Sequence, residues 1–425
     1  MSRRARSYHR GFASILILGI FIAAGQIGGE VYAQSGPVFW TDETIQSTVL
    51  GETRRLKVSL PQGYKNPEFE DQTYPVLIVL DAQFPDTFAM APAASWGLGA
   101  TDSPVIPRLI VVGIETTRPN RLRDMTPFFA AGESQGVGGA PAFLRFLSTE
   151  LRPYLDTRYR TNSVTVIVGH STTGLFAAWA FGQAPEFLAG AIALSPSLTF
   201  ANGATRELAL DSIKSRRKPG RLFLAVGDEL PEMRQAAESL AMELKAKPVP
   251  GRDVHFEKIP DASHSNMPSL GLIPGLLFVF RPVSLGGNVM SQMGPLGEPA
   301  KLLQAFDAVR ERYLHGARQL GLPERLPLPF LRTWSDGVPK TVGVAPFVLR
   351  VCEDIIASYP RVLLGYECAA DAQARLGRVD DSAANYTRAL EVARKMSDAA
   401  AVERIGKKLK EPRDQKDRNQ SAKKP

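Results

Sequence analysis

Ser171 is the residue from which the chemistry of this chain can be read. It lies in Gly169-His170-Ser171-Thr172-Thr173-Gly174. A mostly apolar, β-branched run, Val164–Val168, leads into it, and a helical pattern from Leu175 to about Gln183 leads away. A tight strand-to-helix turn in that context lifts a serine hydroxyl above a sheet, where it can attack a carbonyl carbon. Glycine suits both sides of such a turn, because side chains there run into the strand and the helix. Gly169 meets that need, while Thr173 stands at the second position with Gly174 behind it.

A serine nucleophile needs a base, and the base needs a partner that orients it. The chain has five histidines. His9 is in the N-terminal leader, His255 alternates within a strand and His315 is in a helical stretch. His170 adjoins the serine, where the backbone should turn it away. His264 lies in Asp261-Ala262-Ser263-His264-Ser265, a loop after the last strand, and is the candidate base. The acid should follow the strand between serine and histidine, Leu222–Val226. Asp228 is the first choice there. Glu229 and Glu232 compete, since one or two loop residues decide which carboxylate faces the imidazole. The oxyanion should rest on the backbone N–H of Thr172 and a second N–H from Asp81-Ala82-Gln83-Phe84, either Gln83 or Ala82. Neither metal nor cofactor is expected, because no His/Cys cluster has ligand spacing and no Gly-rich phosphate loop follows a strand. Gly136-Val137-Gly138-Gly139 reads as a flexible loop over the site.

These residues need a scaffold. Leu56 to Leu60 alternates as an edge strand does. Val76–Leu80, Leu109–Val112, Val164–Val168, Ala189–Leu194 and Leu222–Val226 are mostly continuous apolar runs, as strands buried on both faces are. Helical faces such as Phe143, Phe146, Leu147, Leu151 and Met233, Ala237, Leu240, Leu244 fall among the later strands. The pattern predicts an α/β domain over 34–281 with a central, mostly parallel sheet. A Gly/Pro-rich linker is expected at 282–300, followed by a small all-α domain at 301–400. Gly377, Ser382, Tyr386 and Ala389 have the helix-turn-helix spacing of a tetratricopeptide repeat. Cys352 and Cys368 sit on neighbouring helices, either as a disulfide or as two buried thiols.

The 425 residues carry a net charge of +8, but residues 1–33 hold +3 and residues 402–425 hold +5, leaving a neutral body. That body gives no reason to expect nucleic-acid binding. Residues 1–33 read as a secretory signal: Arg3, Arg4, Arg6 and Arg10, an apolar stretch to Ala24, and Val31-Tyr32-Ala33 at the cleavage site. The mature chain is therefore expected to be exported, to the periplasm in a Gram-negative source, without stable membrane insertion. A basic tail at 401–425, with little to bury from about Lys407 onward, is expected to be disordered.

Over about 45–281 the chain resembles the Putative esterase family of α/β-hydrolases, in particular its siderophore-esterase-like members. The resemblance rests on Leu60–Tyr64, Val79-Leu80-Asp81, Asn120 to Pro127, Phe143 to Tyr154, the Ser171 segment and Leu194-Ser195-Pro196-Ser197. It implies an α/β-hydrolase fold and a Ser171, Asp228 and His264 triad that cleaves a small-molecule ester through an acyl-enzyme without a cofactor. A catalytically weak or inactive hydrolase-fold binding protein, acting through its helical domain on a protein partner, is the alternative. An acyltransferase would use the same residues.

Overall fold

The computed structural model describes residues 39–116, 119–127, 137–286, 298–337 and 342–421. Among the described residues eight strands form one sheet: β1 Thr41–Ser47, β2 Glu52–Ser59, β3 Tyr74–Leu80, β4 Ile110–Ile114, β5 Thr161–His170, β6 Gly190–Leu194, β7 Gly220–Val226 and β8 Arg252–Lys258. Their order is β1-β2-β4-β3-β5-β6-β7-β8. The β1/β2 and β2/β4 pairs are antiparallel and the others parallel. The continuously apolar runs occupy the centre, where β3, β4 and β6 are buried along their whole length. Alternating β1 and half-exposed β8 form the edges. This is the α/β-hydrolase topology expected from the sequence.

Each sheet face has its own apolar layer. Leu77, Val79, Val111, Val166 and Phe223 pack with helices α1 Pro85–Gly99 and α8 Met267–Phe280. Val76, Ile78, Val112, Ile167 and Leu224 pack with α3 Ala140–Arg145, α5 Thr172–Gln183, α6 Ala204–Ser215 and α7 Pro231–Ala246. Two short helices, α2 Asn120–Met125 and α4 Arg152–Arg158, complete this part.

The C-terminal region is all helical: α9 Pro299–Leu320, α10 Leu328–Asp336, α11 Ala345–Ser358, α12 Leu363–Arg375, α13 Val379–Lys395 and α14 Ala399–Ser421. It shares the first apolar layer, which runs on through Phe280 and Val283 to Phe306, Phe330 and Phe347. Its docking is close. A Cβ on Gly316 of α9 would stand 2.0 Å from the Pro282 carbonyl oxygen, so only glycine fits. Arg332 to Glu68 and Arg361 to Asp71 add ion pairs across the contact. Helices α12 and α13 turn at Gly377, with φ +72°, and Cys352 is bonded to Cys368.

Two boundaries differ from expectation. The linker begins later than 282, since Arg281–Val283 is a helical turn and Leu285 is buried with its N–H bonded to Pro104 O. Residues 287–297 lie outside the described residues, as does the leader. The basic tail does not lose structure at 401. Helix α14 runs to Ser421, anchored by buried Ala401 and Ile405 and by Arg404 and Lys408 on Glu367. The pattern hid this because polar and charged residues dominate it from Lys407 onward and the few apolar ones before that suffice for a single face. Among the described residues no helix is long and apolar enough to cross a membrane.

Candidate active site

Ser171 stands at the carboxyl end of β5, between the strand and α5, with φ +60° and ψ −119°. A non-glycine residue holds such a conformation only when its surroundings enforce it. Here its N–H donates to Leu194 O at 2.9 Å, and its carbonyl accepts from Leu175 N–H and Ser197 N–H at 3.0 Å each. Gly169 is required, because a Cβ there would lie 2.1 Å from Thr173 O. Thr173 fits where glycine was expected because its hydroxyl has partners. It accepts the His170 N–H at 2.8 Å and lies 2.8 Å from His170 O and 3.1 Å from Asp81 Oδ2.

His264 Nε2 is 3.1 Å from Ser171 Oγ. On its far side His264 Nδ1 faces Glu229 Oε2 at 3.5 Å. Asp228 does not occupy that place. Its backbone N–H is bonded to Ala262 O, which pins the β7 loop to the histidine loop. Its side chain then points outward, 84% exposed and 3.9 Å from Arg234. Glu229, the next residue, turns inward and its side chain is 1% exposed. Ser195 Oγ and Gly227 N–H donate to its other oxygen. Burial draws the Glu229 carboxyl upward, but the bonds from His264 and Ser195 outweigh it and hold the group below the ordinary range. Glu232 is exposed in the first turn of α7.

Thr172 is the first residue of α5, directly after Ser171. Of the two candidates in the β3 turn, Ala82 is committed, since its N–H donates to Ile114 O at 3.0 Å. Gln83 remains, and its side chain is fastened at both ends: Nε2 to Asp81 Oδ1 at 3.1 Å and Oε1 from Thr116 N–H at 2.9 Å. Asp81 is the centre of this turn, buried and with φ +62°. Arg121 grips its two oxygens at 2.8 Å each, and Thr116 donates to it as well. Burial draws this carboxyl up too, but Arg121, Thr116 and Gln83 together leave it below its ordinary value. Arg121 is held in turn by α2, whose buried Asp124 binds Arg54 and Arg123.

Sequence reasoning missed two of these contributors. Asn120-Arg121-Leu122-Arg123-Asp124 is conspicuous in the sequence, but nothing there ties Arg121 to Asp81. His170 does not turn away: its ring lies 4.6 Å from that of His264. Burial and the neighbouring His264 push its pKa down to about 4, so it is neutral over the physiological range. Asp81, Gln83, Phe84, Thr116, Arg121, His170, Ser171 and His264 line a cleft of about 450 Å³. The glycine-rich loop expected over the site is described only from residue 137 onward. Gly138 and Gly139 there bond to Thr126 and Arg123 of the α2 segment. The arrangement suits acyl transfer: a hydroxyl on a strained turn, an imidazole against it and a buried carboxylate behind the imidazole.

Residues 47–258 match the family model described as Putative esterase. No curated protein matches the chain. Among solved structures, an IroE-like serine hydrolase from Shewanella oneidensis is 22% identical, with a TM-score of 0.56, over 79% of this chain and 98% of its own. An uncharacterised protein from Capnocytophaga ochracea is 16% identical, with a TM-score of 0.56, over 88% of this chain and 99% of its own. The BES protein from Bacillus cereus is 22% identical, with a TM-score of 0.50, over 58% and 96%. At these identities the likeness is one of fold.

Proposed function

We propose that this chain, which belongs to the Putative esterase family, cleaves carboxylic esters through Ser171, His264 and Glu229. The observation that carries the reading is the 3.1 Å contact between His264 Nε2 and Ser171 Oγ on a turn held at φ +60°. His264 takes the hydroxyl proton as Ser171 Oγ bonds to the ester carbonyl carbon. Glu229 supports the imidazolium through Nδ1. The N–H groups of Thr172 and Gln83 receive the oxyanion. As the tetrahedral intermediate collapses, His264 returns the proton to the departing alcohol. Water then repeats the sequence on the acyl-serine, releasing the acid and restoring Ser171.

Two finer readings go with this one. The substrate class is siderophore-like esters, supported by the sequence resemblance and by the fold shared with the IroE-like hydrolase. The site of action is outside the cytoplasm, in the periplasm of a Gram-negative source. The arginine-led apolar leader supports that location, and so does the Cys352–Cys368 disulfide, a bond that persists in oxidising compartments.

The test is hydrolysis of p-nitrophenyl acetate and butyrate by the mature chain beside Ser171→Ala, with a fluorophosphonate label. Turnover and labelling in the wild type, and neither in the variant, is the expected result. A folded wild type that neither turns over nor labels would sink the reading. Adding an alcohol acceptor separates hydrolysis from acyl transfer, because a transferase yields the new ester in place of the free acid.

A further inference from the structure

A second cavity lies at the opposite end of the sheet from Ser171. It sits where β3 and β5 begin and where the helical region docks, and its volume is about 80 Å³. Gln72, Tyr74, Arg108 and Asn162 line it from the sheet side, Arg325 and Tyr359 from the helical side. Three buried donor atoms among these, Gln72 Nε2, Arg108 Nη1 and Asn162 Nδ2, have no hydrogen-bond partner in the protein, and the Tyr74 hydroxyl, on which the Arg160 guanidinium also acts, has none at good geometry. Tyr74 is only 2% exposed. Asn162 Oδ1 accepts the Val164 N–H at 3.0 Å, so the amide's free end is its NH₂ group. Tyr359 donates its proton to Leu326 O at 2.7 Å.

The charge is as one-sided as the hydrogen bonding. Arg108 stacks on Phe69 at 4.6 Å, and the groups acting on it are the phenols of Tyr74 and Tyr359 and a third guanidinium, Arg332. Arg332 is itself taken by Glu68. Burial, with Arg332 acting in the same sense, lowers the pKa of Arg108. Arg325 lies over the Tyr359 ring at 5.5 Å. Water can satisfy an amide or a hydroxyl, but it leaves a buried charge uncompensated, whereas an anion answers both needs. The volume is several times the roughly 10–15 Å³ that a single water needs, so the space takes more than one water or a small polyatomic ion.

We propose that this cavity binds a small oxyanion, a carboxylate or inorganic phosphate, between Arg108 and Arg325, with Tyr74, Gln72 and Asn162 donating to it. The ligand would join the foot of the sheet to the helical region. It would act on the stability of that junction and not on ester cleavage, which takes place at the other end of the strands.

The test titrates the whole mature chain with sodium phosphate and with sodium acetate by calorimetry, and follows thermal unfolding in the same salts at matched ionic strength. Saturable binding of at least one anion is expected, with a rise in Tm that follows occupancy. Binding by phosphate alone or acetate alone tells which oxyanion the cavity prefers. Arg108→Gln should weaken binding about 10-fold or more and Tyr74→Phe by less, while both keep p-nitrophenyl acetate hydrolysis within about twofold of wild type. Should Arg108→Gln fail to fold, Tyr74→Phe carries the comparison. Two results would overturn the proposal: neither anion binding the wild type, or the variants binding as tightly as the wild type. So would an Arg108→Gln chain more stable than wild type in every salt, which is the behaviour of an arginine buried without a counterion.

Discussion

Thr173 Oγ1 lies 3.1 Å from Asp81 Oδ2, beneath the cleft, and so joins the turn that carries Ser171 to the turn that carries Gln83. The two turns come from different strands, β5 and β3, and each contains a non-glycine residue at positive φ. Strain of that kind persists only where neighbours over-determine it. The threonine in place of the expected glycine is one of those neighbours, since its hydroxyl also accepts the His170 N–H at 2.8 Å.

Thr173→Val keeps the shape of the side chain and removes the hydroxyl. The His170 N–H then loses its acceptor in a buried place, at a cost of about 1–3 kcal/mol. The expected outcome is a lower Tm and a lower kcat, with Thr173→Ser close to wild type in both. A valine variant that matches wild type would show that the hydroxyl bonds do not hold the turn.

Asp81→Asn tests the other half of the link. Arg121 loses its carboxylate partner, and the anchor on the Gln83 side chain weakens. Loss of an oxyanion donor costs about 100-fold or more in rate, so a displaced donor should lower kcat by at least about 10-fold with little change in KM. The pH dependence has a defined sign. The folded carboxyl lies below its ordinary 3.8, so its contribution to stability is present above that value and is lost as the pH falls through the folded pKa. Acid unfolding of the asparagine variant should lack that component, and an unchanged acid limb would contradict it.

Glu229 and Asp228 are adjacent, and only one faces His264. Glu229→Ala should lower kcat by about 10⁴-fold, the scale seen when the acid of such a constellation is removed. Asp228→Ala should remain within about twofold of wild type, because its side chain is 84% exposed and stands 3.9 Å from Arg234, away from His264. Steady-state kinetics on the two variants settles the assignment, and the reverse pattern would return the role to Asp228.

The contrast between these neighbours shows what the sequence could carry. The central strands and the strand-turn-helix at Ser171 follow from apolar runs and glycine placement, which are local, whereas the alternation of Leu56–Leu60 reads as an edge although β1 covers it on one side and β4 on the other. His264 follows because its loop comes after the last strand while His9, His255 and His315 belong to a leader, a strand and a helix; His170 is set aside only by a turn that the structure does not make. The choice between Asp228 and Glu229 depends on a tertiary bond, Asp228 N–H to Ala262 O, that no spacing encodes. The same holds for Arg121 on Asp81, 40 residues apart, and for α14, whose few apolar residues find a surface only once α12 and α13 are in place.

His170 gives the last prediction, and its sign follows from burial. Its ring packs 4.6 Å from His264 and is neutral in the folded chain down to a pKa of about 4, against 6.5 for an unperturbed histidine. Above pH 6.5 both folded and unfolded chains carry it neutral, and its effect on stability is flat. Between 6.5 and 4 the unfolded chain takes up a proton that the folded chain refuses, so stability falls as the pH drops, by at most about 3 kcal/mol at roughly 1.4 kcal/mol per pH unit. Below about 4 both forms are protonated and the slope from this residue ends. His170→Phe retains a ring against His264 and cannot titrate. Denaturant unfolding of wild type and variant from pH 7 to 4 should therefore give curves that converge as the pH falls, the wild type losing more stability. Parallel curves would mean that His170 takes up its proton in the folded chain at an ordinary pH, and that its ring is not held out of water as the packing against His264 requires.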